Sequence, residues 1–211
     1  MLSVTADPSF AAYYQGFESL GASCEFGLLQ RHFGAEPLAL LRWSAIDAQG
    51  LIHSLSNRFA DVVDIANLSL IHGQNDEWDV RTPHFSQHLY VKRGTADAAE
   101  LLRVTHRRIQ FQRRAILETL EEAEKVLVYK EAQFRMTDAE IAQIFGLLRG
   151  FHADNVFLAV RLTGTGEEPG SVDEIEPGLW VGNVELDAKV VTRDTVPVAS
   201  WHRICQTLRP V

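Results

Sequence analysis

The chain has 211 residues, 46% of them apolar, with 28 acidic side chains against 20 basic and a formal net charge of −8. That length suits one domain with a core that needs no disulfide or metal to hold it. A charged fraction of 23% excludes native disorder, no apolar run reaches the roughly 18 residues of a membrane span, and the acidic balance argues against a general nucleic-acid binder.

Residues 1–10, with Asp7 and Pro8, lack the basic and apolar regions of a secretory signal, so a soluble, cytoplasmic protein is expected. Residues 17–20 predict a short strand ending at Gly21, and residues 24–33 a helix stopped by Gly34 and Pro37. A second short apolar run covers 38–43. Residues 47–59 predict a helix, with Leu51, Ile52, Leu55 and Phe59 on one stripe. Strands of an antiparallel patch are expected at 68–71, 78–81 and 85–92, separated by the turn-rich residues 72–76 and by Thr82-Pro83.

The second half alternates more regularly. Residues 97–122 predict a long helix capped by Thr95. Residues 126–129 predict a compact strand, and 137–148 a helix opened by the capping box Thr137-Asp138-Ala139-Glu140. Residues 156–160 form another buried apolar run. Two buried strands around one amphipathic helix read as a βαβ unit, so 126–129 and 156–160 should be parallel neighbours. Residues 164–178 read as a polar acidic loop, 179–186 as a late strand and 198–208 as a terminal helix. No linker or repeat divides the chain. The expected fold is a single α/β domain over 1–211, with a mixed sheet, a parallel βαβ unit in its second half and helices on both faces.

The segment richest in chemical signals is 17–33, FESLGASCEFGLLQRHF. Ser23 suits an N-cap, which places Cys24 at the first helical position. Unpaired N–H groups and the helix dipole lower the pKa of a thiol there, while the carboxylate of Glu25 acts in the opposite sense. The alternative is a small buried residue at a strand–helix junction. Cys24 and Cys205 stand in no CxxC pattern and are expected to be unbonded. A nucleophilic cysteine needs a base, usually a histidine. His84 and His88 share one face of a predicted strand; they form a metal pair only if further ligands converge, and none is nearby, so no metal or other cofactor is expected.

Sites in open parallel sheets form beyond the carboxyl ends of strands. On that ground Cys24, Lys130 and Arg161 could face one crevice, where the cations favour a thiolate or an anionic ligand; otherwise they are ordinary charges closing strands. Gly164-Thr165-Gly166 runs into Glu167, Glu168 and Pro169 and makes no phosphate loop. Arg103, Arg107 and Arg114 share a helix face that reads as solvated or paired with Glu118, Glu121 and Glu122.

Residues 17–43, FESLGASCEFGLLQRHFGAEPLALLRW, resemble a bacterial family of unknown function whose members are described as papain-like cysteine peptidases. Those members carry a similar SLG-x-x-CEFG block followed by AEPL-x-LLR. The resemblance continues through HLYVKRG at 88–94, VLVYK at 126–130, PGL at 177–179 and SWHRIC at 200–205, in the same order. It implies Cys24 as nucleophile and His88 as base, in a hydrolase or acyl-transfer enzyme acting on a peptide or small-molecule substrate.

There are departures from the pattern. Papain-like enzymes place an oxyanion-binding glutamine six residues before the cysteine; this chain has Glu18, and an ionised carboxylate cannot donate a hydrogen bond. Backbone N–H groups near Ser23 and Cys24 are the remaining candidates for that role. Asn183, Glu185 and Asp187 follow His88 and could orient it, with Glu185 chosen as third member. The βαβ pattern is not that of papain. The second function class is a non-catalytic binding domain that presents the crevice to a polar or anionic ligand or a partner protein, with no nucleic acid or membrane involved. Glu18 and the unsettled third member favour it; the helix-opening cysteine favours the enzyme.

Overall fold

A computed structural model describes residues 8–131, 136–185 and 195–208. In chain order the elements are α1 (Pro8–Gln15), β1 (Phe17–Ser19), α2 (Glu25–His32), β2 (Ser44–Ala45), α3 (Ala48–Ser56), β3 (Ser69–His72), β4 (Glu77–Arg81), β5 (Ser86–Lys92), α4 (Ala98–Glu122), β6 (Val126–Lys130), α5 (Asp138–Phe151), β7 (Val156–Leu162), β8 (Val172–Glu176), β9 (Leu179–Val184) and α6 (Val198–Thr207), with short 3-10 turns between α3 and β4. They build two sheets.

The larger sheet has the order β1-β6-β7-β9-β8. Its first four strands are parallel, and β8 runs antiparallel to β9. The buried runs that predicted a βαβ unit lie side by side as expected, with Val126 opposite Val156 and Lys130 opposite Val160, and α5 connects them. Every residue of β6 is buried, because both faces of a parallel sheet are covered. Alternation along the strand sends Leu127 and Tyr129 into a core shared with α3, α4 and α5. Val126 and Val128 pack on the other face with Tyr14 of α1, Phe26 of α2 and Trp201 of α6. The smaller sheet, β2-β5-β4-β3, is antiparallel throughout and adds Val80 and Leu89 to the first of these cores.

Helix ends follow local chemistry. Thr137 and Glu140 form the reciprocal capping box read from the sequence. The long helix α4 is capped by Asp97, whose Oδ1 accepts from the Glu100 N–H at 2.8 Å, and not by Thr95, whose hydroxyl donates to the Lys92 carbonyl. Two elements carry no periodic signal. The helix α1 precedes the first strand, and β8 lies inside the stretch expected to be a loop. Four of the five residues of β8 are exposed, so the pairing with β9 and not a buried face makes it a strand. Cys24 and Cys205 are free, as expected. Among the described residues no helix is long and apolar enough to cross a membrane.

One buried ion pair joins the layers. Glu25, the first residue of α2, accepts from the Lys130 ammonium at the end of β6 and, on its other oxygen, from Trp201 Nε1 of α6 at 2.6 Å. Both charged side chains are almost wholly buried. Removing one partner of such a pair leaves an uncompensated charge, which costs about 3–5 kcal/mol. Lys130→Met is therefore expected to lower the unfolding free energy in urea by about that amount. Adding Glu25→Gln should recover about 1–3 kcal/mol of it, whereas two additive losses would show that the charges are not coupled.

Candidate functional site

The turn from β1 into α2 is tight. Gly21 and Ala22 both have left-handed backbone, with φ of +95° and +74°. An L-residue such as Ala22 holds that conformation at a cost of about 1–2 kcal/mol. The Ser23 hydroxyl accepts from the Glu25 N–H at 3.3 Å, and the Cys24 carbonyl takes the first helical bond, from Leu28 N–H at 2.8 Å. Cys24 is thus the N-cap residue of α2, one position earlier than the sequence suggested. Its thiol is half-buried. Burial, and then the Asp79 carboxylate, push its pKa up, against a smaller opposing pull from Arg31. The net shift is thus upward, opposite to the lowering that a helix start alone favours.

The histidine comes from the other sheet. Residues 82–85 fold β4 back onto β5, and counting from that turn pairs Arg81 with Ser86, Val80 with Gln87 and Asp79 with His88. Side chains two apart on a strand share a face, so Glu77 stands on the His88 side as well. The ring is held at both ends: Nδ1 lies 2.6 Å from Asp79 Oδ1 and Nε2 2.7 Å from Glu77 Oε2. Two carboxylate acceptors are both satisfied when both nitrogens carry hydrogen, as in imidazolium. Beyond His88 the register slips, so that Glu77 meets Lys92, and Tyr90 takes up the irregularity with φ of +56°. The Tyr90 ring lies edge-on to His88, with centroids 4.2 Å apart, and Trp43 lies beyond it, under the guanidinium groups of Arg31 and Arg42 at 4.6 Å each.

Cys24, Asp79 and His88 line one cleft of about 330 Å³, together with Trp43, Ser86 and Tyr90. That volume lies at the lower end of small-ligand sites. Ser23 lines it as well, beside Cys24.

The other expected site residues lie elsewhere. Lys130 belongs to Glu25, and Arg161 pairs with Asp138 at the start of α5, so neither cation faces the cleft. Glu18 is buried in β1 and bonds Lys125 Nζ at 2.9 Å; burial raises its carboxyl pKa, and Lys125 opposes that. Glu185 does not orient His88: it follows β9 in the larger sheet, and its Oε2 is buried without a hydrogen-bond partner among the described residues. Asn183 bonds Ser171, and Asp187 lies outside the described residues. His84 is not on a strand with His88; it sits in the hairpin turn against His53. The residues that do hold His88, Asp79 and Glu77, were signalled only by acidic residues alternating through Glu77-Trp78-Asp79, across a hairpin from a histidine.

No family model matches the chain, and no curated protein and no solved structure matches it either.

Asp79 has little room beside Gly73. A Cβ built on Gly73 would lie 2.4 Å from Asp79 Oδ1, so Gly73→Ala must displace the carboxylate. Asp79→Asn removes the charge itself. A lower thiol pKa gives more thiolate at neutral pH but a weaker nucleophile. The expected net result is an about two- to threefold faster alkylation of Cys24 by iodoacetamide at pH 7 in Asp79→Asn, with a smaller gain in Gly73→Ala. Unchanged or slower labelling in Asp79→Asn would mean that its charge does not act on the thiol.

Proposed function

We propose that the protein is a cysteine-nucleophile hydrolase or acyl-transfer enzyme, with Cys24 as nucleophile and His88 as acid–base partner. The observation that carries this reading is the shared cleft: a cysteine on a strained turn at a helix start, and a histidine anchored by a carboxylate on the opposite sheet. The resemblance of the SLG-x-x-CEFG block to papain-like peptidases adds an acyl substrate, a peptide or a smaller amide or ester.

In the working form the imidazole carries hydrogen on Nε2 and donates it to Glu77, leaving Nδ1 as the base once Asp79 gives up its bond. Nδ1 takes the Cys24 proton, and Sγ attacks the acyl carbon. The resulting oxyanion is assigned to the backbone N–H groups near Ser23 and Cys24 at the start of α2. His88 then returns the proton to the leaving amine or alkoxide as its bond to the acyl carbon breaks. Water gives a proton to Nδ1 as its oxygen attacks the thioester carbon; the C–S bond then breaks, Nδ1 returns that proton to the sulfur, and the carboxylic acid leaves. Asp79 acts as a brake on this cycle, since it both occupies Nδ1 and disfavours the thiolate. Two unbonded thiols accord with a reducing, cytoplasmic setting.

A second reading, a binding domain without catalysis, is favoured by the raised thiol pKa and by the carboxylates on both nitrogens of His88. In that case the cleft suits a polar or cationic ligand. An anionic one finds no help from Lys130 or Arg161, which are paired with Glu25 and Asp138.

The two readings separate on acylation by p-nitrophenyl acetate. The enzyme should release a burst of nitrophenolate and carry an acetyl group on Cys24 by intact mass. Cys24→Ser should lose both signals, and His88→Ala should lose most of the burst rate, by about 10²- to 10⁴-fold for a missing general base. Acetylation no faster than that of a free thiol, and indifferent to His88, would leave only the binding domain.

A further inference from the structure

We infer that His53, Asp61 and His84 form a divalent transition-metal site, separate from the Cys24 cleft. Their ligand atoms lie within 4.8 Å of one another. Three parts of the chain converge to make it. His53 is in the last turn of α3, and Gly50, three residues earlier and on the same face, lets the helix approach the hairpin turn: a Cβ there would be 2.7 Å from the His84 carbonyl oxygen. The two imidazole rings consequently lie together, with centroids 3.9 Å apart and planes tilted by 32°. After α3 the chain reverses through Arg58 and Phe59, both left-handed at φ of +56° and +54°, and brings Asp61 back to the rings.

The donor geometry fits a metal. Asp61 Oδ2 lies 3.3 Å from His53 Nε2 and 3.1 Å from His84 Nε2. Ligands of a tetrahedral zinc ion at about 2.0–2.1 Å stand about 3.3 Å from one another, so both separations match one edge of that polyhedron. Asn57 Nδ2 donates to the same Asp61 oxygen at 2.5 Å, as supporting residues do to metal-bound carboxylates, and Asn67 Nδ2 donates to the Asp61 backbone carbonyl at 2.9 Å and fixes the turn that carries it.

Two imidazoles and one carboxylate suit zinc, cobalt(II), nickel or iron(II), and not calcium or magnesium, which take oxygen ligands. One negative charge on a dication leaves the site net positive. Structural zinc sites are closed by four protein ligands, whereas three leave a position for water or a small donor. The half-exposed His53 and His84 open onto a depression of about 550 Å³ between α3 and Pro83, which gives such a ligand access.

Titration of the full chain with cobalt(II), followed by its visible bands, and with zinc by calorimetry tests the site. One equivalent should bind, with the band intensities of a four- or five-coordinate ion. His53→Ala and His84→Ala should abolish saturable binding, and Asp61→Asn should weaken it while keeping the side-chain shape. Asn57→Ala should weaken it by about tenfold, the scale for a supporting residue. His152→Ala removes an exposed histidine outside the cluster and should leave binding unchanged. Absence of saturable binding to the folded wild type, or binding that both histidine variants retain, would overturn the assignment.

Discussion

The carboxylate of Glu25 is the point on which the architecture turns. It is buried, and taking it out of water unaccompanied would cost several kcal/mol. The fold answers by bringing Lys130 from the end of β6 and the Trp201 indole from α6 to its two oxygens. Those contacts exist only if β1 lies beside β6 and α6 lies across the same face as α2. The ion pair therefore reports that the parallel sheet and its second helical layer have assembled correctly. It also fixes the residue just before it. Cys24 cannot move along the sheet while its neighbour is held at both oxygens.

Pairing of Glu25 with Lys130 has an electrostatic result as well. Two charges that the sequence placed near the thiol, one unfavourable and one favourable, cancel each other behind the helix start. The charges that act on Cys24 are then Asp79, from β4 of the smaller sheet, and Arg31, from α2 itself. A non-glycine residue in left-handed conformation also stands two positions from each of the pair in the chain, Ala22 before Cys24 and Tyr90 after His88. Strain of this kind persists only where surrounding contacts enforce it. Here it lies on both sides of the proposed reacting pair.

What the sequence made legible is what local physics determines. The runs Val126 to Tyr129 and Val156 to Val160 read as buried parallel strands because no polar residue interrupts them. Thr137 and Glu140 read as a cap because the reciprocal bonds need only their spacing. Cys24 was legible as the opening of a helix, and His88 as a strand residue. The partners of His88 were not, because they depend on hairpin register, and a one-residue slip would have turned Asp79 to the other face. The assignment of Glu185 failed for a topological reason: β9 is in the sheet that does not carry His88. Lys130 and Arg161 do end parallel strands, yet a buried glutamate and a helix-start aspartate claim them first. The grouping of His53 and Asp61 with His84 needs the chain reversal after α3, which no periodic pattern announces.

The strand β8 has a bearing on how the molecule behaves in company. Among the described residues it is the last strand on its side of the larger sheet, and a row of unpaired backbone groups at such a border is a template on which other chains can add. In this protein that border carries Asp173, Glu174 and Glu176, all exposed, and its register with β9 is broken between Glu174 and Glu176. A second copy laid alongside would set like charges against like and would find no straight run of donors and acceptors. The acidic stretch thus works as a guard against polymerisation: the same carboxylates that give β8 no buried face keep the sheet from growing.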